Sequence, residues 1–361
     1  MIKDRSYFVY VGTCAAEGRA DSIHICRFDP GSERLDPIGS QSGLVNPAFL
    51  AVHPSRRFLY TVSDVASDQA DEGGVTSFRI DNDTGRLTVL NRVFSGGGGG
   101  CHLALDNTGR TLLVANYFSG SIAAFPVQED GQLGNPATLT RHHGSSVNQK
   151  RQNSPHPHAV VVSPDNRFVL VPDLGLDQVI SYRLDSSALS LIRSDPPFAG
   201  VEAGSGPRHI AFHPAGGSAY LISEMAASIT ALSYDQTRGT LRKIQTVLVS
   251  PEGNGASSGA EIDIDPAGRF LYASNRGDDS ISVFAISSDG TLELTQRISA
   301  YGRGPRSIRL TPSGSYLLAA NQNSDSVVLF WVDPKTGSLV MRDRMLRLQS
   351  PACIEFVIAW G

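Results

Sequence analysis

The chain has 361 residues, 40% of them apolar and 18% charged, with a formal net charge of −4. That charge, spread without a long run of one sign, argues against nucleic-acid binding, which draws on basic patches. No stretch approaches the ~20 apolar residues of a membrane-spanning helix, and Met1 to Gly12 has no signal-peptide apolar core.

The first predicted elements are three strands, Tyr7 to Thr13, Ser22 to Asp29 and Arg34 to Gly39. A pattern then begins that recurs from the anchors Pro47, Gly100, Pro157, Pro207, Gly259, Pro305 and Pro351. Seven residues after the first six anchors a turn position holds Pro54, Asn107, Pro164, Pro214, Pro266 or Pro312. The Pro207 unit reads clearly: strand Arg208 to Phe212, turn His213 to Gly216, strand Ala219 to Ser223, strand Ser228 to Tyr234, turn Asp235 to Gly239, strand Thr240 to Val247. Equivalent hairpins span Val75 to Gly85, Ser121 to Gly131, Gln178 to Ser187, Ser280 to Gly290 and Ser326 to Gly337, most of them closed by Gly. Anchor spacings of 53, 57, 50, 52, 46 and 46, by subtraction of the anchor numbers, exceed the ~40–45 of WD repeats. The last anchor opens one strand, Pro351 to Ile358, with nothing after it.

Four-stranded units of this length arranged in a ring make a β-propeller. The N-terminal segment supplies strands two to four of a blade and the C-terminal segment its first strand. The expectation is therefore an all-β protein: a single seven-bladed β-propeller domain over 1–361, one blade closed by the N- and C-terminal strands. Such closure removes two exposed sheet edges. Cys14, Cys26, Cys101 and Cys353 form no C-x-x-C pair, so neither a zinc site nor a compact disulfide framework is expected. Free thiols in a soluble cytoplasmic protein, monomeric or weakly homo-oligomeric, fit this reading.

Two columns of the repeat vary in chemistry where a framework position would repeat it. One residue after the anchor stand Ala48, Cys101, His158, Arg208, Ala260, Arg306 and Ala352. Seventeen after it stand Asp64, Tyr117, Leu174, Glu224, Arg276 and Gln322. Consecutive strands run antiparallel, so the first strand begins on the face where the second ends. Both columns then lie at the mouth of the central channel. Alone, each arginine reads as a solvated turn residue and His158 as a core-edge histidine; together they read as one site. Long connections reach the same face: Ser95 to Gly100, Arg141 to Pro155 and Ser250 to Gly259. Asn116, Asn275 and Asn321 recur in the preceding column, which favours strand-end hydrogen bonding. His53 and His213 sit in far-side turns and read as structural. His142 and His143 have no matching acidic partners, so no metal site is expected there.

At these residues the chain resembles the seven-bladed lactonase family of propeller-type 6-phosphogluconolactonases and 3-carboxy-cis,cis-muconate lactonizing enzymes. The resemblance rests on Asn46-Pro-Ala-Phe-Leu, Ala115-Asn-Tyr with Gly120-Ser, Pro155-His-Pro-His158, Asp173-Leu-Gly-Leu-Asp177, Gly206-Pro-Arg-His-Ile with Glu224, Ser274-Asn-Arg276 and Gly304-Pro-Arg306. The glycine run before Cys101-His102 departs from the family's usual Pro-containing segment. The resemblance implies a top-face site at His158, Arg208, Glu224 and Arg276. Arg306, His102, Asp173 and Asn275 are added as substrate-binding candidates.

Lactone opening needs a base for water, a donor for the oxyanion and an acid for the leaving alkoxide. The expected roles follow. His158, titrating near neutrality, is general acid/base. Glu224, kept ionised by arginines, orients His158 or is itself the base. Arg208 stabilises the oxyanion, and Arg276 and Arg306 hold an anionic sugar lactone. No metal or other cofactor is implied. A carboxymuconate-type lactonizing isomerase, a sugar-acid binding module and a non-catalytic propeller that binds protein are the alternatives.

Overall fold

A computed structural model describes residues 5–14, 22–63, 73–250 and 258–359. Asp64 of the second variable column and residues 251–257 of the Ser250 to Gly259 connection lie outside the described residues. Seven four-stranded antiparallel sheets make up a seven-bladed β-propeller. Blades 1 to 6 run in chain order: Leu50–Phe94, Gly100–Arg141, Val161–Gly200, Pro207–Leu248, Gly259–Ser299 and Pro305–Arg347. In blade 7 the C-terminal strand Pro351–Ile358 pairs antiparallel with Tyr7–Thr13, from Tyr7↔Ile358 to Gly12↔Cys353. First strands adjoin first strands around the ring, and Pro351–Ile358 meets Leu50–Val52 to close it. No helix among the described residues is long and apolar enough to cross a membrane.

Burial follows position in the blade. Second strands such as Thr111–Asn116, Phe270–Asn275 and Tyr316–Asn321 are buried at every residue. Each has a neighbouring blade on both faces, so it reads as a continuous apolar run rather than an alternating one. Outer strands such as Thr240–Leu248 are only partly buried. The core is a set of clusters between blades. One packs Tyr272, Val283, Leu317, Val328 and Phe330 across the junction of blades 5 and 6, each such side chain contributing about 1.5–3 kcal/mol.

Polar clamps add direction to these contacts. Tyr10, Tyr60 and Tyr272 donate to the carbonyls of Gly85, Gly131 and Gly337 in the next blade at 2.8, 3.1 and 2.9 Å. Gly131 has φ +88°, and a Cβ there would lie 2.3 Å from the Phe58 ring, so a larger residue does not fit. On the same lower face His53 and His213 bond the carbonyls of Gly109 and Gly268 at 3.0 and 2.8 Å. These two histidines join blades, as their turn position suggests.

Candidate active site

The first variable column has a geometric cause. In blade 4 Pro207 pairs with Ser223 and His209 with Ile222, leaving Arg208 as an extra residue in the ladder. The same β-bulge isolates Cys101, Arg306 and Ala352 in blades 2, 6 and 7. A bulge re-aims its side chain, here toward the mouth of the channel. Asp177 fixes the bulge of blade 4 from outside. Its Oδ1 accepts from Gly206 N at 2.8 Å and its Oδ2 from Gly204 N at 2.7 Å.

Arg208 is buried and donates in three directions. Its Nε reaches the Ala260 carbonyl at 2.8 Å, and its terminal nitrogen reaches Glu224 Oε2 at 3.1 Å and His158 Nε2. Glu224, just past the second strand of blade 4, is gripped by two further guanidinium groups. Arg276 lies 2.9 Å from Oε2 and Arg151 lies 2.6 Å from Oε1. His158 Nε2 stands 3.8 Å from Glu224 Oε2. Arg306 borders the group, and its side chain bonds Gln322 Oε1 at 3.5 Å. Three guanidinium groups thus contact one carboxylate, a surplus of two positive charges by count, before Arg306 is added.

Burial alone would raise the Glu224 pKa. Arg208, Arg276 and then Arg151 outweigh it and bring the group down to about 2. Burial, reinforced by Arg276, pushes Arg208 down to about 10, so it is charged at neutral pH. His158 departs from the sequence expectation of titration near neutrality. Burial first, then Arg208 and His209, hold it well below 6.5, because an imidazolium there would be unsolvated and beside a guanidinium. It is a neutral imidazole at physiological pH. Since Nε2 accepts from Arg208, its ring proton sits on Nδ1.

The remaining candidates take other places. Asp173 is fully buried beneath the Arg141 to Pro155 connection. It bonds His142 Nδ1 at 2.6 Å and accepts from the backbone N–H groups of His156 at 2.7 Å and Gly175 at 3.0 Å. It anchors the loop rather than facing the mouth, and it supplies the acidic partner that the sequence reading did not find for His142. The other His142 nitrogen meets the Tyr182 hydroxyl at 2.9 Å. Asn275 is buried too, its Oδ1 accepting from Ser258 N and Gly277 N at 2.8 and 3.0 Å. It closes the strand end, as the recurrence of Asn in that column suggests, and is not placed as a substrate contact. His102 lies deeper, its ring tilted against Phe49 with centroids 4.1 Å apart and lining the channel, where burial and His209 hold it well below 6.5. Among the described residues no group of three or more His, Cys, Asp or Glu is placed to hold a metal ion.

Three residues near the mouth are not among the site candidates. Arg151 comes from the long loop, where nothing in the repeat marks it. Tyr117 stands in the second variable column but carries no charge. Its hydroxyl accepts from Arg151 at 3.4 Å and its ring stacks on His156 at 4.4 Å. His156 is the first histidine of the Pro-His-Pro-His segment, and its Nδ1 lies 2.9 Å from the Tyr117 carbonyl.

Residues 8–356 match the family model described as "Lactonase, 7-bladed beta-propeller". A 6-phosphogluconolactonase of Bacillus subtilis is 35% identical over 354 residues, covering 97% of this chain and 98% of the relative. A 6-phosphogluconolactonase of Formosa agariphila is 32% identical, covering 92% of this chain and 94% of the relative. The structure of a periplasmic gluconolactonase from Pseudomonas aeruginosa superposes with a TM-score of 0.91 at 33% identity, covering 98% of this chain and 99% of that one.

Proposed function

This chain belongs to the lactonase family of seven-bladed β-propellers, and from that premise we propose that it hydrolyses an anionic sugar lactone of the 6-phosphogluconolactone type at the mouth formed by His158, Arg208, Glu224 and Arg276. One observation carries the choice of an anionic substrate: the guanidinium groups of Arg208, Arg276 and Arg151 share a single carboxylate, with the charge of Arg306 felt at Arg276. A phosphate or carboxylate restores the balance, and guanidinium is the side chain best shaped to grip either one.

In this reading Arg208 turns from His158 to the lactone carbonyl oxygen, which frees Nε2. Water then attacks the carbonyl carbon as its proton passes to His158 Nε2, and the oxyanion forms against Arg208. When the ring C–O bond breaks, His158 returns that proton to the leaving alkoxide. Glu224, held at about 2, is a poor base. It fits better as the fixed charge that spaces Arg208, Arg276 and Arg151. Arg276, Arg306 and Arg151 hold the substrate's anionic group.

The deciding experiment measures ring opening of 6-phosphogluconolactone, unphosphorylated gluconolactone and a carboxymuconate lactone, with spontaneous hydrolysis subtracted, alongside cyclisation of a carboxymuconate. The phosphorylated lactone is expected to be turned over fastest. Because His158 is neutral down to well below 6.5, kcat/KM at pH 6.5 and pH 7.5 should agree within about twofold. Preferred cyclisation, or no turnover of any lactone, removes the proposal. A fall in kcat/KM on the acid side, centred near pH 6.5, removes the neutral-His158 base.

Arg151 supplies a narrower check. Its side chain is 46% exposed, so its contribution is that of a partly screened charge. Arg151→Ala should raise KM for the phosphorylated lactone by about tenfold and change kcat by less than about twofold. An equal loss in kcat would place Arg151 in the chemical step instead.

A further inference from the structure

Beneath the mouth lies a second layer of polar groups that the proposed reaction does not use. His209 follows Arg208 at the bulge and lines the channel with Glu261 of the next blade. Its Nδ1 is 2.7 Å from Glu261 Oε1. That same oxygen accepts from the Ile262 backbone N–H at 3.2 Å, which marks it as the acceptor of the pair although burial raises the Glu261 pKa, so the His209 proton sits on Nδ1 and its Nε2 is a bare acceptor. The His158 and His209 rings meet edge to face with centroids 5.3 Å apart.

Each of these two rings has one nitrogen left over. Among the described residues neither His158 Nδ1 nor His209 Nε2 has a hydrogen-bond partner, and both are buried. Buried polar atoms are rarely unpaired. The two are also opposite in kind. Arg208 donates to His158 Nε2, which makes His158 Nδ1 a donor, while Glu261 makes His209 Nε2 an acceptor. We infer that His209 and Glu261 are positioning residues that fix the tautomer of His158, with its Nδ1 proton directed to His209 Nε2 and its Nε2 lone pair kept toward the mouth.

The consequence for turnover rests on the lactonase reading; the tautomer itself does not. A His158 protonated on Nε2 would present N–H to the N–H of Arg208 and could not accept a proton from water. A correctly held His158 takes that proton on Nε2. Orientation of a catalytic imidazole by a second group is worth orders of magnitude in turnover where the wrong tautomer results.

The test is long-range ¹H–¹⁵N NMR of histidine-labelled full-length protein, with His158 assigned by the signals missing from His158→Gln. The wild type should show both His158 and His209 protonated on Nδ1. His209→Phe, which keeps the ring and removes both nitrogens, should move the His158 signals toward a tautomer mixture and lower kcat by about tenfold or more with KM little changed. His209→Gln, which restores an acceptor oxygen, should recover part of both. Glu261→Gln should shift the His209 nitrogens and lower kcat less, and it stands in if His209→Phe does not fold. A wild-type His158 protonated on Nε2, or His158 signals unmoved in His209→Phe, overturns the inference. So does a shifted tautomer with unchanged kcat. A wild type that turns over no lactone sinks the lactonase reading alone, since the NMR signals still report on the tautomer.

Discussion

Arg208→Ala is expected to lower kcat on the phosphorylated lactone by about 10²- to 10³-fold, the range for losing one preorganised oxyanion donor. The case rests on where Arg208 sits. Its side chain is 3% exposed, its Nε is fixed on the Ala260 carbonyl, and its terminal nitrogen already spans His158 and Glu224. With Nε so held, the terminal nitrogen has only to swing from His158 to the carbonyl oxygen as the lactone binds, and needs little further reorganisation when charge develops there. The fold should survive, because Glu224 keeps Arg276 and Arg151 as partners and no buried carboxylate is orphaned. Near-wild-type circular dichroism and a cooperative melt would confirm that. Arg208→Lys keeps the charge but not the planar fork, and should recover only part of the rate. Full activity in Arg208→Ala would remove Arg208 from the chemistry.

Glu224→Gln is expected to cost about 3 kcal/mol of stability at neutral pH, the scale for breaking a buried ion pair on one side. The amide leaves Arg208 and Arg276 buried beside one another with no negative charge between them. The pH dependence gives this effect a signature. Folding depresses Glu224 from 4.5 to about 2. Its contribution is therefore fully present above pH 4.5 and is lost as pH falls through about 2. Denaturant melts of wild type and variant should differ about equally at pH 7 and pH 5, and converge between pH 4.5 and pH 2. Added inorganic phosphate should narrow the gap at pH 7 by occupying the freed guanidinium groups. An undiminished difference at the acid end would show that the loss comes from packing rather than from charge.

Both predictions concern residues that can be found without coordinates, and the reason is periodicity. The apolar pattern repeats once per blade, so unlike residues in a like position stand out; Arg208, Glu224, Arg276 and His158 do so. The terminal strands were legible for the same reason: Tyr7–Thr13 lacks a first strand before it and Pro351–Ile358 lacks a second strand after it. Asn275 shows the converse. It shares its column with Asn116 and Asn321, and recurrence marked the bonding to strand-end connections that all three make.

What the sequence determined by itself is the ring and the columns that meet at its mouth, because burial on both faces of a blade dictates which positions are apolar. Tertiary structure alone decided how those columns are wired. Arg151 reaches Glu224 across 73 positions, Asp173 turns under a loop to His142, and a bulge no pattern announces aims Arg208. The protonation of His158 belongs to the same class. An isolated imidazole titrates near neutrality; only enclosure beside a guanidinium makes it neutral, and enclosure is a property of the packed ring.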